Sequence, residues 1–284
     1  MNSRIILIDA LSLIYRAFYA VAGLATSAGR PTNAVFGFIR MLGQINRVWR
    51  PSHELVVFDG GIPEKRRRLL ADYKAQRPPM PDPLRVQIPD IEEYLDAASI
   101  ARVRLEGLEA DDIVASAAVM SAGNGFETLV ASSDKDLMQI ADGNIALIAP
   151  GKIEQKIGPE EVRLKTGVNP GQIVDWLALC GDSSDNIPGV PGVGAKTAAK
   201  LLNEWGSLEK MYAQVGQVKP EKTRAKLEHC RPEVLRNIQV VTLDKNIKLP
   251  FAFADLGMKT PDNDHLRSFY TRLEFHSLAA ELPV

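Results

Sequence analysis

Four short runs of aliphatic and β-branched residues, Ile5–Ile8, Leu55–Phe58, Val103–Leu105 and Thr128–Ala131, are separated by stretches in helical register. This alternation constrains the chain more than any other feature, because runs of that length are strands and the segments between them are long enough for helices. The expected fold is α/β, with a mostly parallel central sheet flanked by helices. Helices are predicted over Thr32–Trp49, Pro83–Ala97, Ala110–Met120 and Lys135–Ile140. Beyond Pro170 no convincing strand recurs, and helical windows follow at Gln172–Leu179, Ala195–Trp205 and Glu233–Thr242. A domain change is therefore expected near 170, between an α/β domain at 1–169 and a helical region at 170–284. Tyr73–Pro89 carries Pro78, Pro79, Pro81, Pro83 and Pro89, which no regular helix accommodates, and is expected to be an exposed or mobile excursion.

A chain of 284 residues, 45% hydrophobic, is ample for a packed core. The apolar stretch Ile5–Ala25 is interrupted by Asp9, Tyr15 and Arg16 and lacks a basic leader and a cleavage site, so neither a signal peptide nor a membrane span is expected. Cys180 and Cys230 lie far apart and read as reduced thiols, which predicts a cytoplasmic setting. The four histidines lack metal-ligand spacing, which argues against zinc. A net charge of −1 argues against a protein that coats nucleic acid nonspecifically. Locally, however, Lys65, Arg66, Arg67, Arg68, Lys74 and Arg77 crowd one segment. The run Lys65–Arg68 reads most simply as a solvated helix face that also attracts phosphates.

The acids fall at the ends of the runs. Ile5–Ile8 ends in Asp9, Leu55–Phe58 in Asp59, and Leu129–Ser133 in Asp134, which Asp136 follows; Val103–Leu105 leads to Glu109-Ala110-Asp111-Asp112. In open parallel sheets ligands gather at the carboxyl ends of the strands, so these acids can converge. Like charges at contact disfavour joint ionisation, and a hard cation with oxygen ligands, Mg²⁺ or Mn²⁺, removes that cost. Each acid alone reads more readily as the N-cap of the following helix. Capping does not account for the crowding at Glu109, Asp111 and Asp112, nor for a further pair, Asp182 and Asp185.

Directly after that pair, Ile187–Ala198 reads as the turn of a helix-hairpin-helix within 172–205. Gly189, Gly192 and Gly194 permit close backbone approach, and the amides of the second helix, with Lys196, can take a phosphate. Such contacts follow the backbone and read no base sequence. The alternative is a plain connector; the spacing is not that of a P-loop.

Taken together, Leu7–Asp9 through Tyr15–Phe18, Pro31–Phe38, Val57–Asp59, Tyr73–Arg77, Glu109–Asp112, Ser133–Asp136 and Gly181–Thr197 resemble the 5′-nuclease domain of bacterial DNA polymerase I and the wider flap endonuclease family, over essentially the whole chain. The resemblance implies a PIN-like sheet and a helical arch near 62–89. Asp9, Asp59, Glu109, Asp111, Asp112, Asp134, Asp136, Asp182 and Asp185 match the family's metal-binding acids, two Mg²⁺ or Mn²⁺ per site, and none is replaced. Lys74 and Arg77 match the arch residues set against the scissile phosphate. Tyr15, Arg16, Thr32, Asn33, Tyr73, Gly189, Gly192, Gly194 and Lys196 are implied DNA contacts, Tyr15 reading equally as a core aromatic. The resemblance further implies a monovalent cation at the hairpin, a monomer, 5′-flapped or frayed DNA as partner, and a DNA polymerase acting on the same substrate. The chain is either a free-standing nuclease or part of a longer polymerase. The expected activity is structure-selective 5′-3′ exonuclease and flap cleavage by two metal ions. The rivals are a PIN-like ribonuclease, against which the hairpin argues, and a noncatalytic binder of branched DNA, against which the complete acid set argues.

Overall fold

The computed structural model describes residues 3–283. At its centre is a six-stranded sheet of β1 (Arg4–Asp9), β2 (His53–Phe58), β3 (Ala101–Arg104), β4 (Glu127–Ala131), β5 (Ile145–Ile148) and β6 (Lys156–Ile157), in the order β3-β2-β1-β4-β5-β6. The first five strands pair in parallel and β6 runs antiparallel to β5. All four expected runs are strands. β5 and β6, four and two residues long, carry too little pattern to be read from sequence.

Side chains alternate across each strand, and the alternation divides the core in two. Ile5, Leu7, Leu55, Val57 and Val130 belong to one buried cluster, while Ile6, Ile8, Val56, Phe58, Leu129 and Ala131 belong to the other. Burial of both faces explains why β1 and β2 read as continuous apolar runs.

The N-terminal half supplies α1 (Ala10–Ala20), α2 (Asn33–Trp49), α3 (Glu64–Leu69), α4 (Asp82–Arg85), α5 (Ile88–Ala97), α6 (Ala110–Gly123) and α7 (Pro159–Thr166). The expected helix over Pro83–Ala97 is broken in two. Pro89 lacks the N–H a helix interior needs but suits a first turn, so α5 restarts there. At the break the Gln87 side chain turns inward and accepts the Ala34 and Val35 amides at 2.8 and 3.2 Å, satisfying the start of α2. Lys135–Ile140 is a 3-10 turn over Asp136–Ile140 rather than an α-helix.

Beyond residue 170 come α8 (Ile173–Cys180), α9 (Ala195–Trp205), α10 (Leu208–Ala213), α11 (Glu221–His229), α12 (Arg231–Val241), α13 (Asn263–Arg272) and α14 (His276–Glu281). A two-residue ladder, β7 (Gly181–Asp182) with β8 (Ile187–Pro188), closes the loop between α8 and α9. These helices share no separate core. Residues of α8, α9 and α12 continue the cluster of Ile5 and α6, whereas Leu266, Phe269, Tyr270 and Leu278 of α13 and α14 return to the cluster of α1, α2 and α5. The closing helices therefore pack on the α/β layer and not with a helical region running on from 170. No helix among the described residues is long and apolar enough to cross a membrane.

Candidate active site and metal centre

The order of the sheet reverses between β1 and β4, and a cleft opens at the carboxyl ends of the strands at such a point. Asp9 ends β1 there. One of its oxygens accepts the Ser12 amide at 3.2 Å as the N-cap of α1, and the other accepts the Ser132 hydroxyl at 2.8 Å. The capping reading of this residue therefore holds, and the same carboxylate also lines the cleft. The cleft, of ≈ 770 Å³, is lined by Asp9, Asp59, Asp111, Asp134 and Asp182, by Lys74, Arg77 and Lys135, and by Ser12, Tyr15, Arg16 and Tyr19 from α1. Because α1 buries Ala10, Leu13, Ile14 and Ala17, helical spacing turns these four residues to the opposite side.

A second group of acids lies deeper. Asp136, Asp182 and Asp185 each place one carboxylate oxygen within 4.8 Å of the others. Asp136 Oδ1 is buried without a hydrogen-bond partner. An orphaned buried oxygen among carboxylates is costly, and a hard divalent cation satisfies it; the all-oxygen donor set fits such an ion. Burial, then the charges of Asp134 and Asp9, holds the Asp111 carboxyl well above the usual range. Burial followed by Asp134, Asp185 and Asp182 does the same for Asp136. Asp9 is pushed up to about 6, chiefly by burial, against the hydrogen bonds from Ser132 and Ser12. Asp182 moves the other way, because the Ser184 hydrogen bond and Lys135, at 3.0 Å, outweigh its burial.

Two of the expected acids are held by one buried arginine, Arg66. Asp112 takes both guanidinium nitrogens of Arg66 at 2.6 and 2.8 Å and the Asp244 amide at 2.8 Å. Glu109 pairs with Arg66 and, at 2.5 Å, with Lys74. Arg66 also donates to the Val240 and Thr242 carbonyls at 2.8 and 3.2 Å. It is thus buried between α3, α6 and the end of α12, which corrects the expected solvated run; Lys65, Arg67 and Arg68 alone keep that character.

The excursion after α3 is likewise exposed only in part. Tyr73 is buried, its hydroxyl donating to Asp185 at 3.2 Å and Glu109 at 3.3 Å, and so faces inward rather than toward a ligand. The Lys74 amide donates to the Asp185 carbonyl at 2.9 Å, and Arg77 reaches the Asp185 carboxylate at 2.5 Å. Residues 75–79 are exposed.

Thr32 and Asn33, expected at DNA, are buried outside the cleft. Asn33 is spent on the Phe18 carbonyl and the Gln87 amide, at 2.7 and 2.9 Å, which join α1, α2 and the break before α5. In the hairpin, Gly189 packs on the backbone of Cys180 and Gly181, where an added Cβ would lie 2.3 Å from Cys180 C. Gly192 has a φ of +81°, Gly194 precedes α9 without a side-chain cap, and Lys196 is exposed in the first turn. Sequence reasoning assigned no role to Tyr19 or Lys135. Their signals were one helical turn from Tyr15 and a position between Asp134 and Asp136.

A parallel sheet that gathers carboxylates at its switch point, able to hold hard cations and rimmed by lysine and arginine, defines a metal-dependent nuclease. The chain belongs to the 5′-3′ exonuclease family: residues 4–167 match its N-terminal resolvase-like domain and residues 168–264 its C-terminal SAM fold. It is 40% identical over 276 residues to a 5′-3′ exonuclease of Aquifex aeolicus, covering 97% of this chain and 94% of that one. It is 38% identical to the DNA polymerase I of Bacillus subtilis, with 99% of this chain covered but only 32% of the relative, so it spans about a third of that polymerase. The bacteriophage T5 flap endonuclease, solved with DNA and metal ions, shares the fold at a TM-score of 0.67 and 19% identity, over 98% of this chain and 100% of that one.

Proposed function

We propose that this chain is a structure-selective 5′ nuclease that hydrolyses phosphodiester bonds of DNA at 5′ flaps and frayed 5′ ends, with two Mg²⁺ or Mn²⁺ ions. The observation that carries this reading is the unpartnered Asp136 oxygen within a nest of acids beneath a cleft rimmed by Lys74 and Arg77. Asp9, Asp59, Asp111 and Asp134 hold one side of the centre, and Asp136, Asp182 and Asp185 the other. When bound, the ions lower the pKa of a water and neutralise the leaving oxygen. Glu109 shares its charge with Lys74 and Arg66, and Asp112 serves as a structural anchor for Arg66. Burial works against the charged form of Lys74, but Glu109 and Asp185 outweigh it and hold its pKa above the ordinary lysine range. Lys74 and Arg77 set positive charge against a phosphate entering the cleft. Tyr15 and Arg16 meet the nucleotide being cut.

The hairpin, with Gly192, Gly194, Lys196 and the uncapped start of α9, grips duplex backbone, and a monovalent cation sits at its turn. A division of labour between an α/β nuclease part and this helical DNA-binding part accounts for preference by shape rather than sequence. The protein acts in the cytoplasm as a monomer, on substrates that a DNA polymerase also engages.

The test is single-turnover hydrolysis of a 5′-flap DNA with Mg²⁺ and with excess chelator, by the parent and by Asp136→Asn. Cleavage at the flap junction by the parent, lost in chelator and in the variant, is expected. Undiminished activity in chelator sinks the metal mechanism. Preference for structured RNA favours the ribonuclease reading, and tight binding without turnover favours a noncatalytic binder.

A further inference from the structure

The outward face of α1 carries a feature that the metal site does not use. Tyr19 is 71% exposed, the most exposed aromatic among the large hydrophobic side chains at the surface. It stands one helical turn beyond Tyr15, so the two rings share a face, and they lie stacked with centroids 6.5 Å apart and planes 26° from parallel. Phe18 meets the Tyr19 ring edge-on at 5.1 Å and buttresses it from behind. Both tyrosines line the cleft with Asp9, Asp134 and Arg77. Tyr15 is the inner member: it is half-buried at the cleft wall, whereas Tyr19 is exposed.

Exposing a large aromatic face to water carries a hydrophobic cost that folding does not require at this position. Among the described residues the phenol of Tyr19 has no hydrogen-bond partner. Its ring contacts Phe18 and Tyr15 and lines the cleft together with Arg16 and Arg77. A flat exposed ring beside cations that attract phosphates is the arrangement that binds unpaired nucleotides, whose bases stack while the backbone is neutralised.

Resting on the nuclease reading above, we propose that Tyr19 is a second stacking station, which takes an unpaired nucleobase of the 5′ arm one step outward from the nucleotide at Tyr15. Stacking is indifferent to which base is present, so Tyr19 sets how firmly an unpaired arm is held over a paired end, without reading sequence.

The test is a cycle of parent and Tyr19→Ala against two 5′-flap DNAs, one with natural bases in the unpaired arm and one with abasic sites there. Dissociation constants are measured in Ca²⁺ and single-turnover rates in Mg²⁺. Stacking on one base predicts that Tyr19→Ala weakens binding of the natural flap by about 5- to 150-fold. On the abasic flap, parent and variant should agree within about twofold, and Tyr19→Trp should restore binding of the natural flap. A 2-aminopurine in the arm should be quenched by the parent and brighten in Tyr19→Ala. Equal losses on both flaps would make Tyr19 a structural residue and overturn the proposal, as would no loss on either. A parent that fails to cut either flap overturns the nuclease reading instead. Because Tyr19 is exposed, the substitution leaves the core intact, which an unchanged thermal midpoint verifies.

Discussion

Lys74 adopts a φ of +57°, a left-handed conformation that costs a residue with a Cβ on the order of 1 kcal/mol or more. The hydrogen bond its backbone N–H donates to the Asp185 carbonyl and its ammonium contacts with Glu109 and Asp185 hold it there. The lysine is thus placed by the acids it faces. If it acts on the charge developing at the scissile phosphate, Lys74→Ala should lower the single-turnover rate by about 10²- to 10³-fold with enzyme well above its dissociation constant. Arg77→Ala, whose guanidinium is half exposed, should behave alike. Cleavage by both at the parent rate would make them binding contacts only. Arg66 calls for a different measurement. Removing it leaves Asp112 buried with the Asp244 amide and Glu109 with Lys74 and Tyr73, so Arg66→Met should cost about 3–5 kcal/mol in urea unfolding. Arg66→Met combined with Asp112→Leu should recover part of that loss. A single variant as stable as the parent would show that the guanidinium is dispensable.

Among the elements, the hairpin depends on the absence of a side chain at one residue, Gly189. The Cβ that Gly189→Ala adds would meet the Cys180 carbonyl carbon at 2.3 Å, and backbone cannot yield as a flexible side chain does. The variant should lose about 1–3 kcal/mol of stability and bind duplex DNA more weakly, through displacement of α9 from β7 and β8. Lys196→Ala leaves the turn intact, so it should weaken duplex binding equally at every sequence and reduce the salt slope by about one phosphate contact. An unchanged slope, or a loss confined to particular sequences, would remove the hairpin from the DNA interface. The strands and α9 were legible in the sequence because their patterns report burial directly: Ile5–Ile8 is apolar on both faces, and α9 spans the expected Ala195–Trp205. The acids at Asp9, Asp59 and Asp134 were legible as strand ends. Arg66 was not, since a basic run gives no sign that one member turns inward to distant acids. Nor were Thr32 and Asn33 legible as buried residues, because Gln87, which completes their surroundings, lies 54 residues beyond Asn33.

Across the whole molecule the site holds more negative charge than its own lysines and arginines balance, and this makes stability depend on pH and metal together. Asp9 titrates near 6 in the folded chain against an ordinary 3.8, and Asp111 and Asp136 are shifted in the same direction. Between those limits the folded state holds protons that the unfolded chain has released, so stability of the metal-free protein should fall as pH rises from about 4 through 6 and beyond. Glu127, Asp182 and Glu274 are shifted downward, and the stability they contribute is lost only as pH falls below about 4. A scan from pH 5 to 8 therefore reads the raised carboxyls, which include Glu54, pushed up to about 7 by its burial outside the site, so the Mn²⁺ dependence is what singles out the site acids. A divalent cation binds the carboxylates only once they are deprotonated, so its stabilising effect should grow over the same range. At a cation concentration 100 times its dissociation constant the gain is about 2.7 kcal/mol, which for a chain of this size raises the thermal midpoint by roughly 4–5 °C. The chelated protein should melt lower at pH 8 than at pH 5.5, and saturating Mn²⁺ should narrow or reverse that difference. Asp136→Asn, which removes a charge from the nest, should raise the midpoint of the chelated protein at pH 8 and blunt its response to Mn²⁺. A chelated midpoint that climbs from pH 5 to 8, or a Mn²⁺ effect of equal size at both ends, would mean that these acids neither repel one another nor share a cation.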